Sequence, residues 1–296
     1  MAAGTSRVED LRYTTYSGAR RGRLACLTAF GRQGALHALG AGRGWRGKLI
    51  PVGLIFLAFA PALIVLGVRA LFASSLPQTA LGQPEAITEL VPYEAYYSTV
   101  SLLIMALAGI TTPELVCPDR RDRVLDLYYS TAVSPREYLA ARFGSALGLL
   151  LLTTLAPVLF LFAGNILFAV HPLGYVQDHW RDLPRILAAG FVIASYYAAI
   201  GLAVSSLTSR RAFAMGGMIA LLVASGSTSA ILAGLGADAK SLLLALPAIP
   251  IILSQRMFPD APGVQEIATQ AWLAAYLVVV GISLAVLLLR YRRSDG

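Results

Sequence analysis

The chain has 296 residues, 57% of them hydrophobic and 14% charged, with a formal net charge of +8 and a mean hydropathy of +0.67. An ordinary soluble domain carries roughly 25% charged residues, so this composition excludes a soluble enzyme and points to an all-α integral membrane protein. Basic charge on so apolar a chain orients helices in the bilayer and meets anionic headgroups; nucleic acid is not an expected partner.

Taken in chain order, the N-terminus MAAGTSRVEDLRYTTYSGARRGR has no short apolar core and no small-residue cleavage site, so no cleavable signal is expected. Residues 1–48 read as a basic cytoplasmic segment, and within it 23–39 has helical periodicity. Leu24, Leu27, Ala35, Ala38 and Leu39 share one face, opposite Arg23, Gln33 and His37. That pattern predicts an interfacial amphipathic helix resting on membrane lipids. Gly31 and Gly34 weaken it.

Residues 49–296 then form a membrane domain of six predicted spans. A spanning helix needs about 20 mostly apolar residues. Such runs occur at 49–68, with Pro61 as a kink, at 95–112, at 139–168 with a bend at Pro157, at 186–207, from 212 onward, and at 271–289. Tyr93, Tyr96 and Tyr97 fit an interfacial aromatic belt at the head of the second span. Between the fifth and sixth spans, 241–252 holds about twelve apolar residues with Pro247 and Pro250, too short to cross, which suits a re-entrant or extracellular helical segment.

Arginines set the orientation. Those before the first span, Arg120, Arg121, Arg123, Arg136, Arg142, Arg210, Arg211, Arg290, Arg292 and Arg293 fall on one side, while Arg69, Arg181, Arg185, Lys240 and Arg256 fall on the other. The positive-inside rule therefore places both termini in the cytoplasm of a cell membrane. Cys26 and Cys117 then lie on the reducing side, and no disulfide is expected.

Few motifs suggest chemistry. Gly42-Arg43-Gly44-Trp45-Arg46-Gly47-Lys48 matches the start of a phosphate-binding loop, but Leu49 has no hydroxyl for Mg²⁺ and no strand precedes it, so it reads as a flexible basic hinge. His171, Asp178, His179 and Asp182 crowd one loop without diagnostic metal spacing, and a solvated loop is expected. No span core carries an Asp, Glu, Lys or Arg, against an ion-coupled transporter or an intramembrane enzyme. Gly144 and Gly148, and Gly190, Ala194 and Ala198, suit close helix packing. The patch Ser225-Gly226-Ser227-Thr228-Ser229 interrupts an apolar run, so Ser225, Ser227, Thr228 and Ser229 are candidates for lining a path.

The densest charge lies in PELVCPDRRDRVLDLYYSTAVSPREYLAAR, residues 113–142. Pro113 predicts the end of the second span, and Pro118 with Asp119 and Asp122 predicts a new short cytoplasmic helix from about Cys117, with Val124, Leu127 and Tyr128 on one face. Ser134-Pro135-Arg136-Glu137 is a capping box with proline at the first helical position. Together they predict a rigid elbow at about 113–138, able to carry force.

This segment resembles the coupling helix after the second span in permeases of the second type of ATP-binding cassette exporter, also called type V, particularly their actinobacterial members. RYTTYSGARRGRL and GRGWRGKLIP are similar to that group's N-terminus. The chain departs from the pattern at Arg123-Val124, where the family often has Gly-Thr, and at Ala132, where a proline is common. The resemblance implies a permease that lacks its own ATPase and binds no cofactor, with ATP and Mg on a separate ATPase subunit. It further implies a second permease copy or a related chain as partner, and export of a lipid-like, glycan or amphipathic molecule. Asp119, Arg120, Arg121, Arg123, Asp126, Leu127 and Tyr128 are then the expected ATPase contacts. A membrane anchor or assembly subunit that keeps this shape without transport is the alternative.

Overall fold

A computed structural model describes residues 22–42, 44–75, 92–124, 134–169, 171–258 and 267–292. These form α1 (Arg23–Ala38), α2 (Trp45–Ala58), α3 (Ala60–Ser75), α4 (Tyr93–Arg121), α5 (Pro135–Phe168), α6 (Pro172–His179), α7 (Asp182–Leu207), α8 (Arg211–Gly234), a 3₁₀ turn at Ala239–Leu244, α9 (Ala248–Gln255) and α10 (Thr269–Arg292). No strand occurs among the described residues. Helices α4, α5, α7, α8 and α10 are each long and apolar enough to cross a membrane, and α2 with α3, bent by 41°, makes a sixth when the pair is counted as one span. The chain is an all-α integral membrane protein.

The bend of the first span falls at Phe59, two residues before Pro61, which has no N–H to continue the ladder. Tyr96 donates its hydroxyl to the Ala58 carbonyl there. Tyr97 donates to the Ile186 carbonyl at 3.0 Å, and both rings are fully buried. They are internal ties between spans rather than the aromatic belt expected of them.

The central span is α7, which packs against α4, α5, α8, α9 and α10. Its small residues allow that crowding: Gly190, Ala194 and Ala198 are all buried. A Cβ at Gly201 would stand 2.5 Å from Thr112 Oγ1, and one at Gly190 would stand 2.2 Å from a Leu155 methyl. On α5, Gly164 meets Leu66 of α3 in the same way. Gly144 and Gly148 differ from expectation, since neither has any atom within 4 Å of where a Cβ would be.

Segment 239–255 is a 3₁₀ turn followed by an eight-residue helix, too short to cross. Backbone that departs from a helix at membrane depth must find partners in protein. Midway along α7, Tyr196 donates to the Leu246 carbonyl at 2.9 Å and Tyr197 to the Pro247 carbonyl at 3.3 Å. The break is thereby satisfied against the centre of the bundle, as a re-entrant segment requires.

One local expectation is corrected. The second span does not end at Pro113: α4 runs unbroken through Pro113 and Pro118 to Arg121, so no separate helix starts at Cys117. Each proline forfeits one backbone bond, and the close packing of α7 against Thr112 holds the helix on its course through Pro113. The Ser225 to Ser229 patch lies inside α8, where Ser225 and Thr228 return their hydroxyls to the Leu222 and Ala224 carbonyls. The turn after α1 is tight at its start. Gly40 has φ +86°, and a Cβ on it would lie 2.7 Å from the Gly47 carbonyl oxygen.

Candidate coupling site at the junction of α4 and α5

Helix α5 starts as its sequence predicts. Ser134 Oγ accepts from the Glu137 N–H, the Glu137 carboxylate accepts from the Ser134 N–H at 2.9 Å, and Pro135 takes the first helical position. The end of α4 is equally defined. The Asp122 N–H donates to the Pro118 carbonyl and the Val124 N–H to the Asp119 carbonyl, with Arg123 at φ 53°. That is a Schellman-type stop, in which the left-handed position normally takes glycine.

Between these two ends lies a buried ionic cluster. Asp119 of α4 and Arg142 of α5 are each 8% exposed. Arg142 Nη2 donates to Asp119 Oδ2, and the Tyr138 hydroxyl donates to the same oxygen at 2.7 Å. The Arg142 guanidinium also covers the Phe30 ring at 4.5 Å and lies 5.3 Å from the Tyr138 centroid. Tyr138 in turn faces Tyr291 of α10 at 5.5 Å. One carboxylate thus gathers α1, α4, α5 and α10.

Glycines let α1 come that close. A Cβ at Gly34 would stand 2.7 Å from Arg142 Nη1, and Ser145 Oγ reaches the Gly31 carbonyl at 2.7 Å. The packed face of α1 is therefore Phe30, Gly31, Gly34 and Ala38, while Leu24, expected on it, is 79% exposed. Glycines that weaken a helix in isolation are here its contact surface.

The last turns of α4 are also tied to the α7–α8 junction. Arg120 donates to the Ser206 carbonyl, and Arg211 pairs with Glu114 at 2.9 Å. Cys117 is buried, with its sulfur 3.6 Å from the Thr208 carbonyl. Arg121, Arg210 and Arg211 line a basic cleft of about 440 Å³ beside it.

The expected contact residues accordingly separate. Asp119 is turned inward and Arg120 is engaged with Ser206, so neither is offered outward for docking. Arg121 and Arg123 are exposed. Asp126, Leu127 and Tyr128 lie outside the described residues. Sequence reasoning missed Tyr138, Arg142 and Phe30 as one cluster; a lone arginine inside the third span's first turns was the available signal.

At the opposite end, Arg69 Nη1 donates to Asn165 Oδ1 at 2.6 Å, Asn165 Nδ2 donates to the Tyr93 hydroxyl at 2.9 Å, and Tyr93 meets the Tyr175 hydroxyl at 3.0 Å. His179 stacks on Tyr175 at 4.1 Å, and Asp182 pairs with Arg185. Among the described residues no three His, Cys, Asp or Glu side chains gather in a metal-binding group.

Comparison with known proteins agrees with this architecture. No curated protein matches the chain. The profile of the family described as ABC-2 family transporter protein matches residues 84–290, more than half of the chain and all spans from the second to the sixth. The match begins before α4 and ends within α10, enclosing the α4–α5 junction, the central α7 and the re-entrant segment. The chain therefore belongs to the ABC-2 transporter family, as a multi-pass permease component rather than an ATPase.

Proposed function

We propose that this chain is the membrane half of an ATP-driven exporter, working with a separately encoded ATPase that binds ATP and Mg and docks on residues 121–134. The observation that carries the reading is the Asp119–Arg142–Tyr138 tie immediately beside that segment. It joins the two spans that the segment connects, so a push on the segment moves both together. Exposed Arg121 and Arg123 give the segment a positive rim for an acidic ATPase surface. Asp126, Leu127 and Tyr128 complete the contact in this reading.

Transport requires a second permease, either another copy or a related chain. Helix α8 is the least enclosed span, and Ser227 and Thr228 on it are exposed. With Ser225 and Ser229 they line the path between the two permeases in this reading, and an amphipathic or lipid-like molecule is the cargo suited to a wall that mixes hydroxyls with aliphatic side chains. Both termini lie in the cytoplasm, as the arginine distribution requires.

The test is ATPase activity of the gently solubilised complex, purified through this chain after expression with its neighbouring genes. Activity that co-purifies with the wild type and is lost from the Arg121→Glu, Arg123→Glu double variant is the expected result. Wild-type chain that brings down no ATPase overturns the reading.

A further inference from the structure

The seam between α1 and α5 is closed on one side only. On the packed side Gly34 touches Arg142 and Ser145. On the other side a groove of about 440 Å³ remains, lined by Leu27, Gly31, Ala35, Ala140, Gly144 and Gly148, together with Thr28, Arg32 and Leu149. That volume falls in the range of about 300–1,000 Å³ typical of small-molecule pockets.

The lining chemistry narrows the occupant. Among the described residues no carboxylate borders the groove. Its two hydroxyls are already engaged: Ser145 Oγ bonds the Gly31 and Ala141 carbonyls at 2.7 Å, and Thr28 Oγ1 bonds the Ala25 carbonyl at 3.2 Å. Water in the groove would find almost nothing to bind, so an apolar chain is favoured. The floor is the row Ala140, Gly144 and Gly148, spaced four residues apart on α5, and Arg136 continues that row one turn toward the start of the helix. Arg32 stands on the α1 wall and is exposed. A mostly apolar slot with Arg32 on its wall, and Arg136 one turn beyond its floor, complements a lipid whose head is negative.

The depth also fits. Helix α1 precedes the first span and packs on the first half of α5, and the arginine distribution would set that end of the bundle beside the inner headgroups. We infer that this groove holds an acyl chain of an anionic phospholipid of the cytoplasmic leaflet, with its phosphate between Arg32 and Arg136. The lipid would lie against the same α1 helix that covers Arg142, and so stiffen the seam beside the ionic cluster. This inference needs the membrane orientation but not the ATPase partner.

The experiment uses full-length protein in vesicles of equimolar phosphatidylcholine and phosphatidylglycerol. One lipid at a time carries a photoactivatable diazirine in its acyl chain, and adducts are located by peptide mass spectrometry. Phosphatidylglycerol should label Leu27 to Ala35 and Ala140 to Leu149. Gly148→Leu should abolish those adducts while leaving labelling of α8 and α10 unchanged, because a side chain at 148 has open space to fill. Arg32→Gln, a surface change that spares the fold, should remove the preference for phosphatidylglycerol over phosphatidylcholine. Groove labelling that survives Gly148→Leu, equal labelling by both lipids in the wild type, or a cross-link from Gly144→Cys to a second copy each overturns the inference.

Discussion

Asp119 and Arg142 lie on opposite sides of the segment that joins α4 to α5, and their side chains meet in a bond shielded from water on nearly all sides. The pair makes the two helix ends one body. Removing one member leaves the other charge buried alone, which costs about 3–5 kcal/mol. Arg142→Gln and Asp119→Ala should each lower the thermal unfolding temperature in detergent by several degrees. The double variant should lose less than the sum of the two, and a purely additive cycle would show that the pair is not coupled.

At Arg123 the expected change is a gain. Its left-handed backbone costs a non-glycine residue roughly 1–2 kcal/mol, so Arg123→Gly should stabilise the end of α4 by about 1 kcal/mol. In the proposed complex the same change removes a docking cation. Raised unfolding temperature with weakened ATPase binding is the expected pair of results.

The contact of Gly201 with Thr112 predicts an asymmetry between glycines. Gly201→Ala should destabilise markedly, since its methyl would collide with the Thr112 side chain across α4 and α7. Gly216→Ala on α8 meets open space and should be neutral, or stabilising by up to about 1 kcal/mol through helix propensity. Thermal unfolding of the two variants side by side checks this.

Thiol labelling tests both packing and orientation. Cys26 is exposed and Cys117 buried. A membrane-impermeant maleimide should modify Cys26 in inside-out vesicles and leave it unmodified in right-side-out ones. Cys117 should react only after denaturation. Labelling of Cys26 from the outer face would reverse the proposed topology.

Loss of the α5 cap gives a local readout. Ser134→Ala removes the side-chain acceptor of the Glu137 N–H and should cost about 1 kcal/mol. Faster hydrogen exchange confined to the first turn of α5 is the expected signature.

Spans three to six were legible because hydrophobic length sets them, and the start of α5 was legible because Ser134, Pro135 and Glu137 form a local code. The end of α4 was not. Pro113 is a helix breaker by local rules, yet the close approach of Gly201 to Thr112 is a tertiary fact that no window around 113 contains. The buried pair was hidden for a related reason: Asp119 looked like a docking residue until the position of Arg142 was known. Likewise Tyr196 and Tyr197 gave no sign in sequence that they hold the Leu246 and Pro247 carbonyls.

Helix α5 has 34 residues and so measures about 51 Å, well beyond the about 30 Å of hydrocarbon. It is gripped near one end by Asp119 and near the other by the Leu66 side chain against Gly164. A rod of that length behaves as a lever arm: each degree of tilt about one end swings the other by about 0.9 Å. A shift of a few degrees imposed at the Asp119 end would therefore arrive at the Gly164 end as a displacement wider than a bond wherever the helix moves as one piece through Pro157.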